Sequence, residues 1–427
     1  MELKKLHQLF LNCNSFTTDT RKIEKNSMFF ALKGDKFDAN TFAKEALEKG
    51  ALIVVIDNIE YFIDERTLLV EDTLETLQKL ANFHRNYLKI PVIALTGSNG
   101  KTTTKELINA VLSEKYKVKA TVGNLNNHIG VPLTLLSFNK STEIGIVEMG
   151  ANHQNEIEFL CEIAQPDYGY ITNFGKAHLE GFGGFNGVIK GKSEMYQFLK
   201  NANKKVFVNI DDSIQVDKSN AISQYTFSTK DKSANVFINC SKADPFVSVN
   251  YNGQTIQSKL VGIYNANNIN AAITMGHYFK VADSLIKKTI ENYSPTNNRS
   301  QLSTKGTNQL ILDAYNANPS SMAVALKNLI ELPKANKIAF LGDMFELGSE
   351  SFDEHTSLVN SLKNESEISF YFIGLEFYKT KTEQQNFHFF ATFDELIGEL
   401  SKKKFQDKYI LIKGSRGMAL ERIVELL

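Results

Sequence analysis

The chain has 427 residues, 42% hydrophobic and 22% charged, and its 48 Lys and Arg balance 48 Asp and Glu to a formal net charge of zero. At roughly 100–200 residues per domain the length predicts two to four domains with ample buried core. Neutrality argues against a dedicated nucleic-acid binder, which carries a basic excess.

The opening stretch, MELKKLHQLFLNCNSF, lacks the apolar core and cleavage site of a secretory signal. No stretch approaches the ~18–20 apolar residues of a membrane span. Cys13, Cys161 and Cys240 are far apart without C-x-x-C spacing, which fits a reducing compartment and offers no metal motif. The expectation is a cytoplasmic protein without membrane insertion.

In chain order, TDTRKIEKNSMFFALKGDKFD predicts a short strand, MFFAL, and a turn at Gly34–Asp35. A second strand follows in GALIVVID, then a charged helix in EDTLETLQKLANFHRNYL, and one domain boundary is set near residue 88. Next come PVIALTG, the helical KTTTKELINAVLSEKY, and the strands IGIVEMG, YGYITNFG and KVFVNIDD. The helix in LVGIYNANNINAAITMGHYF and the polar stretch SPTNNRSQL put a second boundary near residue 293. The strands QLILDAYNANP, KIAFLGD, SFYFIG and YILIKGS complete the chain. This alternation indicates an α/β protein with mostly parallel sheets. In such sheets ligands bind beyond the carboxyl ends of strands. Ser98–Thr102, Glu148, Asn173, Asp313, Asp343 and Lys413 all fall at such ends.

TGSNGKTTT, Thr96 to Thr104, joins a strand to a helix. It departs from the common G-x-x-x-x-G-K-[ST] loop, because Leu95 stands where the first glycine would be. The physics survives that change. Gly97 and Gly100 permit tight turns, and the N–H groups of Ser98 and Asn99 with the helix start form an anion nest. Lys101 would reach the β- and γ-phosphates, Thr102 would offer its hydroxyl to Mg²⁺, and Thr103 would follow in the first turn.

The T-G-x-x-G-K-T form resembles the loop of the Mur ligase family, ATP-dependent amide-forming enzymes of peptidoglycan precursor synthesis. Further motifs follow in order. GNLNNHIGVPLTLL carries Asn126 and Asn127, a plain Asn-rich loop by itself and a substrate-facing segment by the resemblance. IVEMGANHQNEI ends a strand on Glu148, a carboxylate suited to Mg²⁺ or to capping a helix. ITNFGKAHLEGFGG supplies His178, ordinary in isolation, which the resemblance assigns to a second Mg²⁺; His153 is a weaker candidate. GVIKGKSEMY holds Lys190 and Lys192. The resemblance to a lysine in an A-K-x-E setting implies that Lys192 is carbamoylated, with Gly191 in place of the alanine. GIYNANNINAA is similar to the family's G-x-H-N-x-x-N helix, which implies that Asn268 meets adenine; Tyr264 stands where the family has His and is given no role.

LILDAYNANPSSM resembles the D-S-Y-N-A-N-P signature of the branch that adds D-alanyl-D-alanine. Asp313 would then meet the ribose, Asn316 would lie along the nucleotide, and Arg299 would suit its phosphates. FLGDMFELG and LIKGSRGM match later segments, and the D-N-P-R motif of the branch that adds the third amino acid is missing. In the N-terminal stretch a D-G-H pattern has become Asp38-Ala39-Asn40, so Thr20, Arg21 and Asn40 are either substrate contacts or plain turn residues.

The resemblance implies three domains: a small N-terminal α/β substrate domain at 1–88, a central P-loop ATPase domain at 89–293, and a C-terminal Rossmann-like α/β domain at 294–427. It implies ATP and Mg²⁺ as cofactors, with Lys101, Lys192 and His178 as catalytic groups. The implied partners are UDP-N-acetylmuramoyl-tripeptide and D-alanyl-D-alanine, acting on a monomer. Two alternatives stay open at this point: a Mur-type ligase for a different amino acid, and a non-catalytic nucleotide- or UDP-sugar-binding protein.

Overall fold

The computed structural model describes residues 2–295 and 299–427; Asn297 and Asn298 of the polar boundary stretch lie outside them. The chain forms two compact units that interleave in sequence. The first takes residues up to Ala94, then Lys117–Met149 and Glu158–Asp167; the second takes Leu95–Tyr116, Gly150–Ile157 and Tyr168–Leu427.

The first unit opens with a four-stranded parallel sheet in the order Ser15–Thr17, Ser27–Phe30, Ile53–Ile56, Thr67–Leu69. Its two central strands, Ser27–Phe30 and Ile53–Ile56, are buried throughout, as parallel strands covered on both sides must be. Phe29, Ala31, Val54 and Ile56 pack on Ala39, Ala43, Ala46 and Leu47. The helix Thr73–Leu88 starts where the Asp72 carboxylate accepts the Glu75 N–H at 2.7 Å. It buries Leu77, Leu80, Ala81, His84 and Arg85, one stripe at helical spacing. Arg85 donates to the Ile90, Ala164 and Gln165 carbonyls and pairs with Asp167 at 2.7 Å, so a buried cation here organises three chain ends. Val118–Ala120 and Ile144–Glu148 pair in parallel.

In the second unit Tyr168–Ile171, Lys205–Asn209 and Ser223–Ser228 run parallel. Val236–Ala243 continues them, and Phe246–Tyr251 and Gln254–Val261 then add two antiparallel strands. This antiparallel extension is an addition to strands that otherwise keep the mostly parallel expectation. Its signal was the Asn252-Gly253 pair, both in positive φ (47° and 74°), the chemistry of a tight hairpin turn. The helices Lys101–Ser113 and Asn265–Tyr278 approach closely, since a Cβ at Gly276 would lie 2.7 Å from Val111.

A six-stranded sheet follows in the order Gln301–Lys305, Asn308–Asp313, Tyr409–Lys413, Lys337–Gly342, Ser369–Ile373, Phe387–Phe390, parallel except for its first pair. Alternate residues serve opposite cores. Ile311, Ala339, Leu341 and Leu411 face one, and Leu310, Leu312, Phe340 and Ile410 the other. That doubly covered sheet matches the Rossmann-like expectation. Among the described residues no helix is long and apolar enough to cross a membrane.

Candidate nucleotide and ligation site

The phosphate loop is shaped by two glycines that nothing else could replace. Gly97 has φ +141°, and a Cβ there would lie 2.0 Å from Thr172 Oγ1. Gly100 has φ +79°, and its Cβ would lie 2.6 Å from Asn268 Oδ1. The strand end Thr172–Gly175 holds the loop. Ser98 N–H donates to the Asn173 carbonyl at 3.1 Å, and Ser98 Oγ bonds both the N–H and the carbonyl of Gly175. Asn99 N–H donates to Asn173 Oδ1, while its carbonyl accepts from Thr172 Oγ1 and Asn173 Nδ2. Lys101 Nζ donates to the Gly97 carbonyl at 2.7 Å, which keeps the ammonium against the loop. Thr102 and Thr103 are buried in the first helical turn. The Ser98 and Asn99 N–H groups, expected in an anion nest, donate to Asn173 instead; the positive-φ glycines, the helix start and the retained ammonium still make a cradle that fits a nucleotide phosphate.

Asn268 sits behind this loop. Its Oδ1 accepts from Thr104 Oγ1 at 2.9 Å and its Nδ2 donates to Asn265 Oδ1 at 2.8 Å. Each end of the carboxamide can make a second bond. The residue also fixes the loop to its neighbouring helix.

In the first unit Glu148 ends its strand at 1% exposure, and its Oε1 accepts from Asn126 Nδ2 at 2.9 Å. Asn126 therefore orients the carboxylate. Asn127 Oδ1 accepts the N–H groups of Ile129 and Gly130, which caps the helix Gly130–Leu136. Among the described residues no three His, Cys, Asp or Glu side chains converge as a ready-made metal cage. Single carboxylates and a hydroxyl suit Mg²⁺, which keeps waters and takes phosphate oxygens.

Of the two lysines in the helix Phe185–Asn201, Lys190 is exposed and Lys192 is 1% exposed. Lys192 Nζ donates to the Ala151 carbonyl at 3.0 Å and lies 4.9 Å from the Phe182 ring centre. Burial, reinforced by the Lys101 charge and opposed by Glu156 and Glu194, drives its basicity well below that of an ordinary lysine. A buried neutral amine is the form that reacts with CO₂, so the site fits a carbamate. The glycine at 191 has a local reason: a Cβ there would lie 2.4 Å from the Phe182 ring.

His178 adopts φ +54° and pairs through Nδ1 with Glu346 Oε2. The His178 hydrogen bond holds the Glu346 carboxyl below its usual range, against the effect of burial. His153 bonds Asn152 Oδ1.

Asp313 and Lys413 are register partners on adjacent strands, and Lys413 Nζ bonds Asp313 Oδ2 at 2.7 Å and the Asn316 carbonyl at 3.1 Å. Asn316 Oδ1 accepts the Ala317 N–H. The Arg299 guanidinium lies 3.7 Å over the Tyr315 ring, and its Nε is buried with no hydrogen-bond partner among the described residues. That fits an anion site. Asp343 accepts the N–H groups of Glu376 and Phe377 and so caps the start of the helix Leu375–Lys379.

Sequence reasoning missed Asn318, which donates to Asn99 of the loop, and Ser320, whose Oγ accepts the Lys176 N–H. Their signal was an N-cap residue before Pro319. It also missed Glu346. In the N-terminal stretch Thr20 and Arg21 form an exposed turn, with Arg21 forked onto Asp19. Asn40 is fully buried and its carboxamide bonds Asp38 and Asp57. A substrate contact for Asn40 is not supported; it staples the turn to the strand end.

Residues 95–276 match the Mur ligase middle domain, and residues 298–416 match the Mur ligase, glutamate ligase domain. The chain is 34% identical over 419 residues to the UDP-N-acetylmuramoyl-tripeptide--D-alanyl-D-alanine ligase of Bacillus subtilis (strain 168), covering 96% of this chain and 92% of the relative. It is similar to the crystal structure of MurF from Acinetobacter baumannii, with TM-score 0.86, 29% identity, and coverage of 99% and 97% of the two chains. It is also similar to MurF ligase from Thermotoga maritima in complex with ADP, with TM-score 0.84, 25% identity, and coverage of 98% and 97%.

Proposed function

The chain belongs to the Mur ligase family, and from that premise we propose that it joins D-alanyl-D-alanine to UDP-N-acetylmuramoyl-tripeptide, driven by ATP, in peptidoglycan precursor synthesis. The observation that carries the reading is the cradle of Gly97, Gly100 and Lys101 at a helix start, in a chain whose Lys192 is buried against the Ala151 carbonyl.

A carboxylate resists condensation with an amine because its charge and resonance repel the nucleophile. Transfer of the ATP γ-phosphoryl to the tripeptide carboxylate forms an acyl phosphate and releases ADP. The amine of D-alanyl-D-alanine then attacks the acyl carbon, phosphate leaves, and a proton is released with the new amide. Positioning and charge neutralisation do most of this work. Lys101 holds the γ-phosphate, and Gly97, Ser98, Asn99, Gly100 and Thr103 shape its cradle. Thr102, Glu148 and His178 are each proposed as Mg²⁺ ligands, and Lys192 as the carbamoylated residue. Mg²⁺, when bound, supplies neutralisation of phosphate charge. Asp313 takes the ribose, Arg299 and Asn316 attend the nucleotide, and Asn126 orients Glu148.

We further assign substrate recognition to 1–88, with Thr20 and Arg21 as surface contacts, ATP binding to 89–293, and ligation to 294–427; the family matches beginning at 95 and 298 support those divisions. A cytoplasmic monomer completes the reading. The test is phosphate release from ATP and Mg²⁺ with UDP-N-acetylmuramoyl-tripeptide, carrying either lysine or a diamino diacid as third residue. Release that requires D-alanyl-D-alanine, with a mass gain of the dipeptide less water, supports the proposal. Release driven only by another amino acid makes the chain a different family ligase, and no release with either tripeptide leaves a binding protein.

A further inference from the structure

Tyr264, immediately before the helix Asn265–Tyr278, is half-buried, and its phenol lies 2.5 Å from Ser300 Oγ. The ring fits because position 262 is glycine, where a Cβ would lie 2.3 Å from Tyr264 Cε1. Ser300 has φ +50°, an uncommon conformation for a residue with a side chain. Such conformations persist where the surroundings over-determine them. Two bonds do so here. Ser300 Oγ meets the Tyr264 phenol, and Ser300 N–H donates to Asp313 Oδ1 at 3.2 Å. The other oxygen of Asp313 takes Lys413 Nζ at 2.7 Å. One bond on each oxygen fixes the plane of the carboxylate and leaves a lone pair on each for a ligand hydroxyl.

We propose that Tyr264 is a positioning residue for nucleotide binding: its phenol locks Ser300 in the left-handed turn that aims an N–H at Asp313, and so sets the carboxylate for the ribose hydroxyls. The proposal rests on the reading of Asp313 as the ribose partner. Burial and the nearby Asp313 raise the phenol pKa, so the group remains a neutral hydroxyl across the working pH range. Lys413 alone would leave the carboxylate free to swing about its Cα–Cβ and Cβ–Cγ bonds.

The experiment uses the full chain and compares ATP with 2′,3′-dideoxy-ATP in steady-state phosphate release, for wild type, Tyr264→Phe, Ser300→Ala, the double variant and Asp313→Asn. Tyr264→Phe is expected to raise KM for ATP about fivefold with kcat within about twofold, the loss of roughly one hydrogen bond. KM for the dideoxy analogue should stay within about twofold, because it offers no hydroxyl to misplace. Ser300→Ala deletes the same bond from its other end and should reproduce the split, and the double variant should be no worse than either single one. It carries the test if the phenylalanine variant loses stability. A general structural role would raise both KM values together and overturn the proposal, as would unchanged KM in both single variants. If Asp313→Asn narrows the preference for ATP while the Tyr264 and Ser300 variants do not, the proposal fails and the ribose reading stands. If Asp313→Asn leaves that preference intact, the ribose reading fails and takes the proposal with it.

Discussion

Asn318 Nδ2 donates to Asn99 Oδ1 at 2.8 Å, joining residues 219 apart in sequence. The same carboxamide accepts the Ser321 N–H through Oδ1 and so caps the helix Pro319–Glu331. One side chain therefore starts a helix and steadies the phosphate loop. Asn318→Ser separates the two roles, since serine caps a helix about as well but is too short to reach Asn99. The expected result is a roughly fivefold fall in kcat/KM for ATP, worth about 1 kcal/mol, with an unchanged melting temperature. Wild-type kinetics would show that the bond does not serve the loop.

Lys101→Ala removes the ammonium from the loop carbonyls. Phosphoryl transfer depends on neutralising charge at the γ-phosphate, so turnover should fall by on the order of 10³-fold. Circular dichroism should be unchanged. Wild-type phosphate release from this variant would sink the phosphate-loop assignment.

Burial lowers the Lys192 pKa well below that of an ordinary lysine, and carbamate formation consumes a neutral amine and CO₂. With ¹³C-bicarbonate the protein should show a carbamate carbon resonance that is absent from Lys192→Ala. That variant should also lose ligation and regain part of it with added short carboxylates. A resonance that persists in the variant would move the modification to another amine.

His84 Nε2 lies 2.9 Å from the Phe138 carbonyl, which makes it the protonated nitrogen and leaves Nδ1 to accept from His7 Nε2 at 3.0 Å. Burial, then the His84 charge, lowers the His7 pKa from 6.5 to about 4, and burial lowers that of His84. Below pH 6.5 the unfolded chain binds a proton at His7 that the folded chain refuses until about pH 4. The stability contributed by the neutral pair is thus complete above 6.5 and lost as pH falls toward about 4. Urea midpoints should fall across that window. His7→Phe should flatten the slope, with a cost of about 1 kcal/mol at pH 7 for the lost bond. An equally steep slope in the variant would place the acid sensitivity elsewhere.

The phosphate loop was legible because its chemistry is local: glycines, lysine and threonine act where they stand in sequence. Strand ends were equally legible from short apolar runs, and they located Glu148 and Asp313. Asn40 reads as a ligand donor in sequence, but burial makes it an internal staple, with its amide nitrogen donating to Asp38 and Asp57. Asn318 and Ser300 were invisible because their partners lie on distant elements, and no spacing rule links residue 318 to 99. The antiparallel strands near Asn252-Gly253 were legible by turn chemistry and were overlooked beside the stronger βα alternation.

The interleaving of the two units bears on the order in which a ribosome delivers them. The first unit is complete only when Asp167 has emerged, and the second already owns Leu95–Tyr116 by then. The phosphate loop leaves the ribosome well before Asn268, which abuts Gly100. At ~5–20 residues per second that interval is roughly 10–30 s. During it the loop and its helix are synthesised but cannot take their final form, and Asn318 follows later still. Nucleotide binding is therefore a property gained only after Asn318 has emerged, when the first sheet, Ser15–Leu69, has had time to close.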